Sequence, residues 1–283
     1  MFVMQMILTG TGTSHGIPVI GCSCPRCSSS DEKDTRLRTS AFVQAKDGTS
    51  IVIDTGPEFR IQALKWRITR LDAVLLTHTH ADHLHGLDDV RIFSHNCTRV
   101  KNEATLRPSL KVYANNVSLN EVKERFSYIF KPTQEGGGKP RLDLVSIEQF
   151  NTDHPLTIGS LTIIPVPMKH GELDTTGFLL EEDGFRIAYL TDCSYLPESS
   201  INLVKGCSHA VLDGLRTRAH TTHLTFDQAL EYASLIRAKK TWITHICHDY
   251  SHEEINRYLA DKSKNSIFIQ ASYDGLVLDS SSC

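Results

Sequence analysis

The chain has 283 residues, 40% hydrophobic and 22% charged, with a formal net charge of −3 when histidine is neutral. That length buries a sizeable core without covalent staples. The mildly acidic balance gives no broad basic field for gripping long nucleic acid, and no apolar run is long enough to cross a bilayer.

In chain order, Met1 to Leu8 is apolar but short, lacks a basic n-region and a small-residue cleavage site, and runs straight into Thr9-Gly10-Thr11-Gly12. It reads as a first strand and not as a leader. The expected location is therefore cytoplasmic and reducing, so the eight cysteines are not expected to form a disulfide framework. Ile51-Val52-Ile53 reads as a strand. Pro57 suits the first turn of a helix carrying Ile61, Leu64 and Ile68 on one face. Strands follow at Ala73–Leu76 and Lys111–Tyr113. Ser118 with Glu121 forms a capping-box pattern for a helix that presents Val122, Phe126, Ile129 and Phe130. Lys131 to Pro140, with three consecutive glycines, reads as a surface loop. Further strands are expected at Leu161–Ile164, Ile187–Leu190, Ala210–Leu212 and Thr241–Ile243. Thr225 with Gln228 and Ser251 with Glu254 open two more helices. Continuous apolar strands alternating with helical patterns indicate an α/β sandwich, with sheets buried on both faces and helices outside. No composition break divides the chain, so residues 1–283 are read as one domain with an insert at about 93–150.

Thr77-His78-Thr79-His80-Ala81-Asp82-His83 follows the strand Ala73–Leu76 directly. Three imidazoles and a carboxylate leave one strand end together. These are ligands for zinc, iron or manganese, and they cannot all turn into a core without a large desolvation cost. His85 reads as a spare. A second cluster, Cys22-Ser23-Cys24-Pro25-Arg26-Cys27 in a loop at about 21–28, gives three thiols of a soft-metal site. Its fourth ligand can come from Thr244-His245-Ile246-Cys247-His248, with His248 the candidate and Cys247 a competitor. A site with four protein ligands leaves no open position, so a zinc ion there is structural. Cys97, Cys193, Cys207 and Cys283 show no spacing logic.

The His78–His83 motif resembles the H-x-H-x-D-H signature of the metallo-β-lactamase superfamily, whose fold is an αββα sandwich of two packed mixed sheets. The likeness runs along nearly the whole chain. Asp54, in Ile53-Asp54-Thr55-Gly56, looks like the supporting Asp of that family, and His170, Asp192 and His245 follow in the family's order. The resemblance implies a dinuclear site of Mn2+ or Zn2+. One ion would take His78, His80 and His170. The other would take Asp82, His83 and His245, and Asp192 would bridge them. It favours His248 over Cys247 at the structural zinc. The zinc loop and the terminal T-H-x-x-H together resemble the PhnP group, phosphoribosyl cyclic phosphate phosphodiesterases and their relatives.

The expected function is hydrolysis of a small phosphodiester, cyclic nucleotide-like or ribose-based, by a metal-bridging hydroxide with Asp82 in the catalytic shell. The departing alkoxide needs a proton. Related phosphodiesterases place a histidine before a similar helix with an acid upstream, which points to His223 oriented by Asp213, with His220 as rival. Arg216 and Arg218 are candidates for a phosphate clamp, and His15 near the zinc loop is assigned nothing. Relatives often form homodimers. The alternatives are a ribonuclease Z-like tRNA 3′-processing endonuclease, a thioester or lactone hydrolase, and a PqqB-like protein of cofactor biosynthesis. A non-catalytic scaffold would be expected to have lost ligands. Ribonuclease Z usually carries a long arm between its third and fourth metal motifs, for which the span from His170 to Asp192 has no room.

Overall fold

The computed structural model describes residues 4–94, 109–132, 138–264 and 266–280. The first half runs β1 (Gln5–Gly10), β2 (Ser40–Gln44), β3 (Ser50–Ile53), α1 (Phe59–Lys65), β4 (Ala73–Leu75), α2 (Ala81–Leu84), α3 (Arg91–Ser94), β5 (Leu110–Ala114), α4 (Asn116–Arg125), α5 (Ser127–Phe130) and β6 (Leu142–Ser146). The second runs β7 (Leu156–Ile158), β8 (Leu161–His170), β9 (Leu173–Glu182), β10 (Phe185–Leu190), α6 (Glu198–Val204), β11 (His209–Asp213), α7 (Phe226–Ile236), β12 (Lys240–Thr244), α8 (His252–Ser263), β13 (Ile269–Ala271) and β14 (Val277–Leu278).

Two seven-stranded sheets result, ordered β14-β1-β2-β3-β4-β5-β6 and β13-β12-β11-β10-β9-β8-β7. Each is antiparallel on one side and parallel on the other, the change falling at β3 in the first and β10 in the second. The period of two along each strand divides its apolar residues between two cores. Ile51, Ile53 and Leu75 face Ile163, Phe178, Leu180, Ile187, Tyr189 and Val211 between the sheets. Val52, Val74 and Val112 lie under Phe59, Leu119 and Val122 on one outer face. Ala188, Leu190, Ala210 and Leu212 lie under Ala229, Ala233, Ile236, Ile255 and Leu259 on the other. Both faces of these strands are dry, which is why the runs read as continuous. The architecture is the αββα sandwich.

The capping boxes at Thr225–Gln228 and Ser251–Glu254 open α7 and α8 as expected. Other local readings are corrected. The cap of helix α4 lies three residues before the expected one. Asn115 caps it, accepting from Ser118 N at 2.8 Å, and Glu121 is free for another partner. Helix α1 has seven residues and buries Phe59 and Gln62, while Ile61 and Leu64 stay 53% and 64% exposed. The Gln62 amide donates to the Arg38 carbonyl, and that hydrogen bond replaces the expected apolar stripe. The strand expected at Leu161–Ile164 runs on to His170, the last residue of β8. Within the 93–150 region, β5 and β6 complete the parallel side of the first sheet. The core of the loop expected at 131–140, residues 133–137, lies outside the described residues, as do Cys97 and Cys283.

Candidate metal centre

Parallel strands present their C-terminal ends along one edge, where loops meet in a crevice. Strand β8 is antiparallel to β9, and β9 to β10, so β8 points the same way as β10. The candidate ligands follow from that arrangement. His78, His80, Asp82 and His83 lie beyond β4, His170 ends β8, Asp192 lies beyond β10 and His245 beyond β12. Their donor atoms form two groups, His78–His80–His170 and Asp82–His83–Asp192–His245, each within 4.8 Å.

Asp192 stands between the groups. Its Oδ2 is 3.1 Å from His83 Nε2, and its Oδ1 is 3.3 Å from His245, 3.8 Å from His78 and 4.0 Å from His170 Nε2. Asp82 Oδ2 is 3.3 Å from His83 and 3.7 Å from His245. Donors on a tetrahedral zinc at about 2.0–2.1 Å lie roughly 3.4 Å apart, which matches this spacing. The ring Nε2 atoms of His78, His83 and His245 are buried without a hydrogen-bond partner. Buried polar atoms are normally satisfied, so such a convergent set is what a cation shell requires. The residues fit divalent metal ions.

The tautomers are set from outside. Asp54, fully buried, accepts from Thr77 N and Thr77 Oγ1, both at 2.8 Å, and lies 2.7 Å from His83 Nδ1, which leaves Nε2 of that ring for a metal. The carbonyl of Thr222 lies 2.6 Å from His170 Nδ1 and does the same for that ring. Burial pushes His78 well below the usual histidine range and His170 down to about 4, so both are neutral donors. Burial raises Asp192, but the charges of His245 and His83 outweigh it and hold this carboxyl well below the usual range. Burial also works against a proton on His83, yet Asp192, Asp54 and Asp82 pull its pKa well above the usual value. Bound cations would supply that balancing charge.

His223 and Asp213 lie beside both groups. His223 Nδ1 is 2.8 Å from Asp213 Oδ2, and Asp213 also accepts from Leu224 N at 3.0 Å and Cys193 N at 3.3 Å. The His223 ring lies 4.6 Å from that of His170 and stacks on His245 at 4.5 Å. Burial lowers its pKa, but the charge and hydrogen bond of Asp213 overcome this and raise it to about 9. His220 is exposed, bonds within its own turn to Thr222, and lies 5.2 Å from His223. Arg218 is paired with Asp249 at 3.0 Å, whereas Arg216 pairs with no carboxylate among the described residues, and its Nε is buried without a partner. His85 is exposed against Phe126, and His15 is exposed outside the clusters.

The second cluster forms as well. Cys22, Cys24 and Cys27 Sγ lie 3.6, 3.6 and 3.3 Å from His248 Nδ1, and Cys247 is buried elsewhere. Sulfur at about 2.3 Å and nitrogen at about 2.0 Å from one zinc lie roughly 3.6 Å apart, so this set also fits the ion. The Cys27 N–H donating to Cys24 brings that thiol down to about 6. Sequence reasoning missed what anchors this loop. Arg26 makes a bidentate pair with Glu254 of α8. Asp34 accepts from His252 N at 2.6 Å, and the fully buried Arg36 reaches Thr11, the Ser272 carbonyl and His252. Arg36 is preceded by a polar stretch, and nothing in its local sequence marks it as buried.

The family model described as the β-lactamase superfamily domain matches residues 49–246, and the chain belongs to that superfamily. An octanoyltransferase of Porphyromonas gingivalis is 35% identical over 275 residues, 96% of this chain and 51% of that one. The chain thus spans about half the length of this curated relative. A solved structure described as a new diphosphatase from the PhnP family is 37% identical, with a TM-score of 0.83 over 98% of this chain and 97% of the other. Zinc-bound PqqB from Methylobacterium extorquens, 18% identical, shares the fold, with a TM-score of 0.72 over 97% of this chain and 99% of that chain.

Proposed function

We propose that the chain is a dinuclear-metal hydrolase of small phosphodiester or diphosphate substrates. The observation that carries this reading is the His223–Asp213 pair set against both ligand groups. Asp213 accepts the Nδ1 proton of His223, which leaves the far edge of the ring beside His170 and His245. An acid placed there serves a leaving group that departs as a strong base, such as an alkoxide. A thiolate leaving group, at a pKa of about 8.5, has far less need of one.

One ion would be held by His78, His80 and His170, the other by Asp82, His83 and His245, with Asp192 shared. When bound, such ions supply Lewis acidity toward phosphoryl oxygens and a water acidified to near neutral pH. The chain's own groups do the rest. Asp54 and the Thr222 carbonyl orient ligand rings, His223 delivers the proton to the leaving oxygen, and Arg216 binds a non-bridging phosphate oxygen. Only the β9–β10 hairpin joins His170 to Asp192, so no tRNA-gripping arm projects there, which supports a small substrate. The diphosphate alternative is kept because the 37%-identical PhnP-family protein is described as a diphosphatase.

The test compares leaving groups. His223→Ala should lose about 10²–10⁴-fold in kcat on a ribose cyclic phosphate, and far less on bis-p-nitrophenyl phosphate, whose leaving group needs no proton. Equal losses on both would remove the acid role.

A further inference from the structure

Thr79 lies between the candidate ligands His78 and His80, in a stretch with no regular secondary structure. Its neighbours on either side are anchored. The Thr77 N–H goes to Asp54 and its carbonyl accepts from Thr176 N, while the His80 carbonyl accepts from His83 N. Among the described residues, Thr79 itself is hydrogen-bonded from one direction, by α4. Its Oγ1 donates to Glu121 Oε2 at 2.5 Å, and its carbonyl accepts from Arg125 Nη1. Arg125 Nη2 closes the triangle on the same Glu121 oxygen at 2.6 Å. Glu121 and Arg125 stand four residues apart, on one face of the helix. The platform is firm, because Leu119 and Val122 are buried and Asn115 caps the first turn. His80 is exposed, and no hydrogen bond among the described residues restrains its ring.

We propose that Glu121 and Arg125 are positioning residues for the metal half-site of His78, His80 and His170. By gripping Thr79 through both its hydroxyl and its carbonyl, they fix the two histidines that flank it. This rests on the dinuclear reading of the site. The physical reason is entropic as well as geometric. An exposed ligand on an irregular segment must be ordered when a metal binds, and a segment already held in place loses less freedom. Groups that hold ligands from behind typically change metal affinity about 10–100-fold when removed. The clamp also gives the 93–150 region a function at the site, because α4 belongs to it.

The experiment is a titration of the full chain with Mn2+, a hard ion that thiolates disfavour, with free Mn2+ followed by electron paramagnetic resonance. The His80→Ala variant identifies which equivalent belongs to this half-site. Glu121→Ala should weaken that equivalent about tenfold and leave the other within about twofold. Glu121→Gln, which still accepts from the Thr79 hydroxyl, should recover much of the loss. Thr79→Val, close in shape but without the hydroxyl, should reproduce the loss and serves as well if Glu121→Ala does not fold. Combining Thr79→Val with Glu121→Ala should add little to either alone. Unchanged affinity in both single variants, or equal weakening of the two equivalents, would overturn the proposal. Wild-type protein that binds no Mn2+ at His80 would overturn the dinuclear reading itself, a result distinct from either of those.

Discussion

Asp54, Asp192 and His245 adopt φ of 62°, 54° and 61°, the left-handed region that non-glycine residues rarely enter. Each follows a strand that ends at the site, and each such residue costs about 1–3 kcal/mol. The strain turns the side chain sharply off the strand end and into the ligand cluster. Asp54→Asn keeps the shape but loses the charge that holds a proton on His83 Nδ1. We predict a 10–100-fold loss of affinity at the Asp82–His83–His245 ion with the fold retained, read by metal titration and circular dichroism. Arg216→Ala should raise KM for a phosphodiester with little change in kcat, the signature of lost uniform binding; unchanged KM would place Arg216 outside the site. A third prediction concerns stability. His209 is buried and accepts from Trp242 Nε1 at 3.1 Å, and burial lowers its pKa to about 4. A histidine depressed in the folded state takes up its proton first in the unfolded chain. Its share of the stability is therefore whole above pH 6.5 and falls as the pH drops toward 4. Urea midpoints of the wild type should fall more steeply across that window than those of His209→Phe. At this scale the candidate ligands were legible because three histidines and an aspartate within six residues have few structural uses. Arg36, Thr222 and the Glu121–Arg125 grip were not, since each acts on a partner distant in sequence.

At the scale of elements, the Cys22–Cys27 loop and the start of α8 form one unit, joined by the thiol–His248 cluster, the Arg26–Glu254 pair and the Asp34–His252 hydrogen bond. His248 lies three residues past His245, so this unit also braces the end of β12 that carries a candidate ligand. Cys24→Ser should remove one zinc equivalent and lower the melting temperature, because a metal that binds only the folded loop stabilises it. Unchanged zinc content and melting temperature would remove the structural site. The α4 reading shows how a local rule is overridden. Ser118 and Glu121 have capping-box spacing, but Asn115, three residues earlier, wins the cap by accepting the Ser118 N–H. Glu121 then has a side chain to spare, and it is spent on Thr79. Helix α1 was misread for a related reason: with so short a helix, burial of Gln62 through its bond to Arg38 decides which face turns inward.

Over the whole molecule, the two-sheet sandwich was legible as alternating apolar runs and helices, since strands dry on both faces admit few polar residues. Strand β9 was harder to see, because its first residues, Leu173-Asp174-Thr175-Thr176, are mostly polar and lie beside the site. The scaffold is filled by three apolar clusters, two outside the sheets and one between them. Metal-free protein should therefore stay folded, and Mn2+ at about 100 times its dissociation constant should add roughly 2.7 kcal/mol per site. The measurement that bears most directly on the function is hydrolysis of bis-p-nitrophenyl phosphate and a ribose cyclic phosphate by metal-quantified protein, wild type beside Asp192→Ala. Turnover that rises with the second metal equivalent and falls at least ~10²-fold in Asp192→Ala is the expected result. Protein that carries both metals, leaves every phosphodiester and diphosphate intact, and cleaves a thioester or lactone would contradict it.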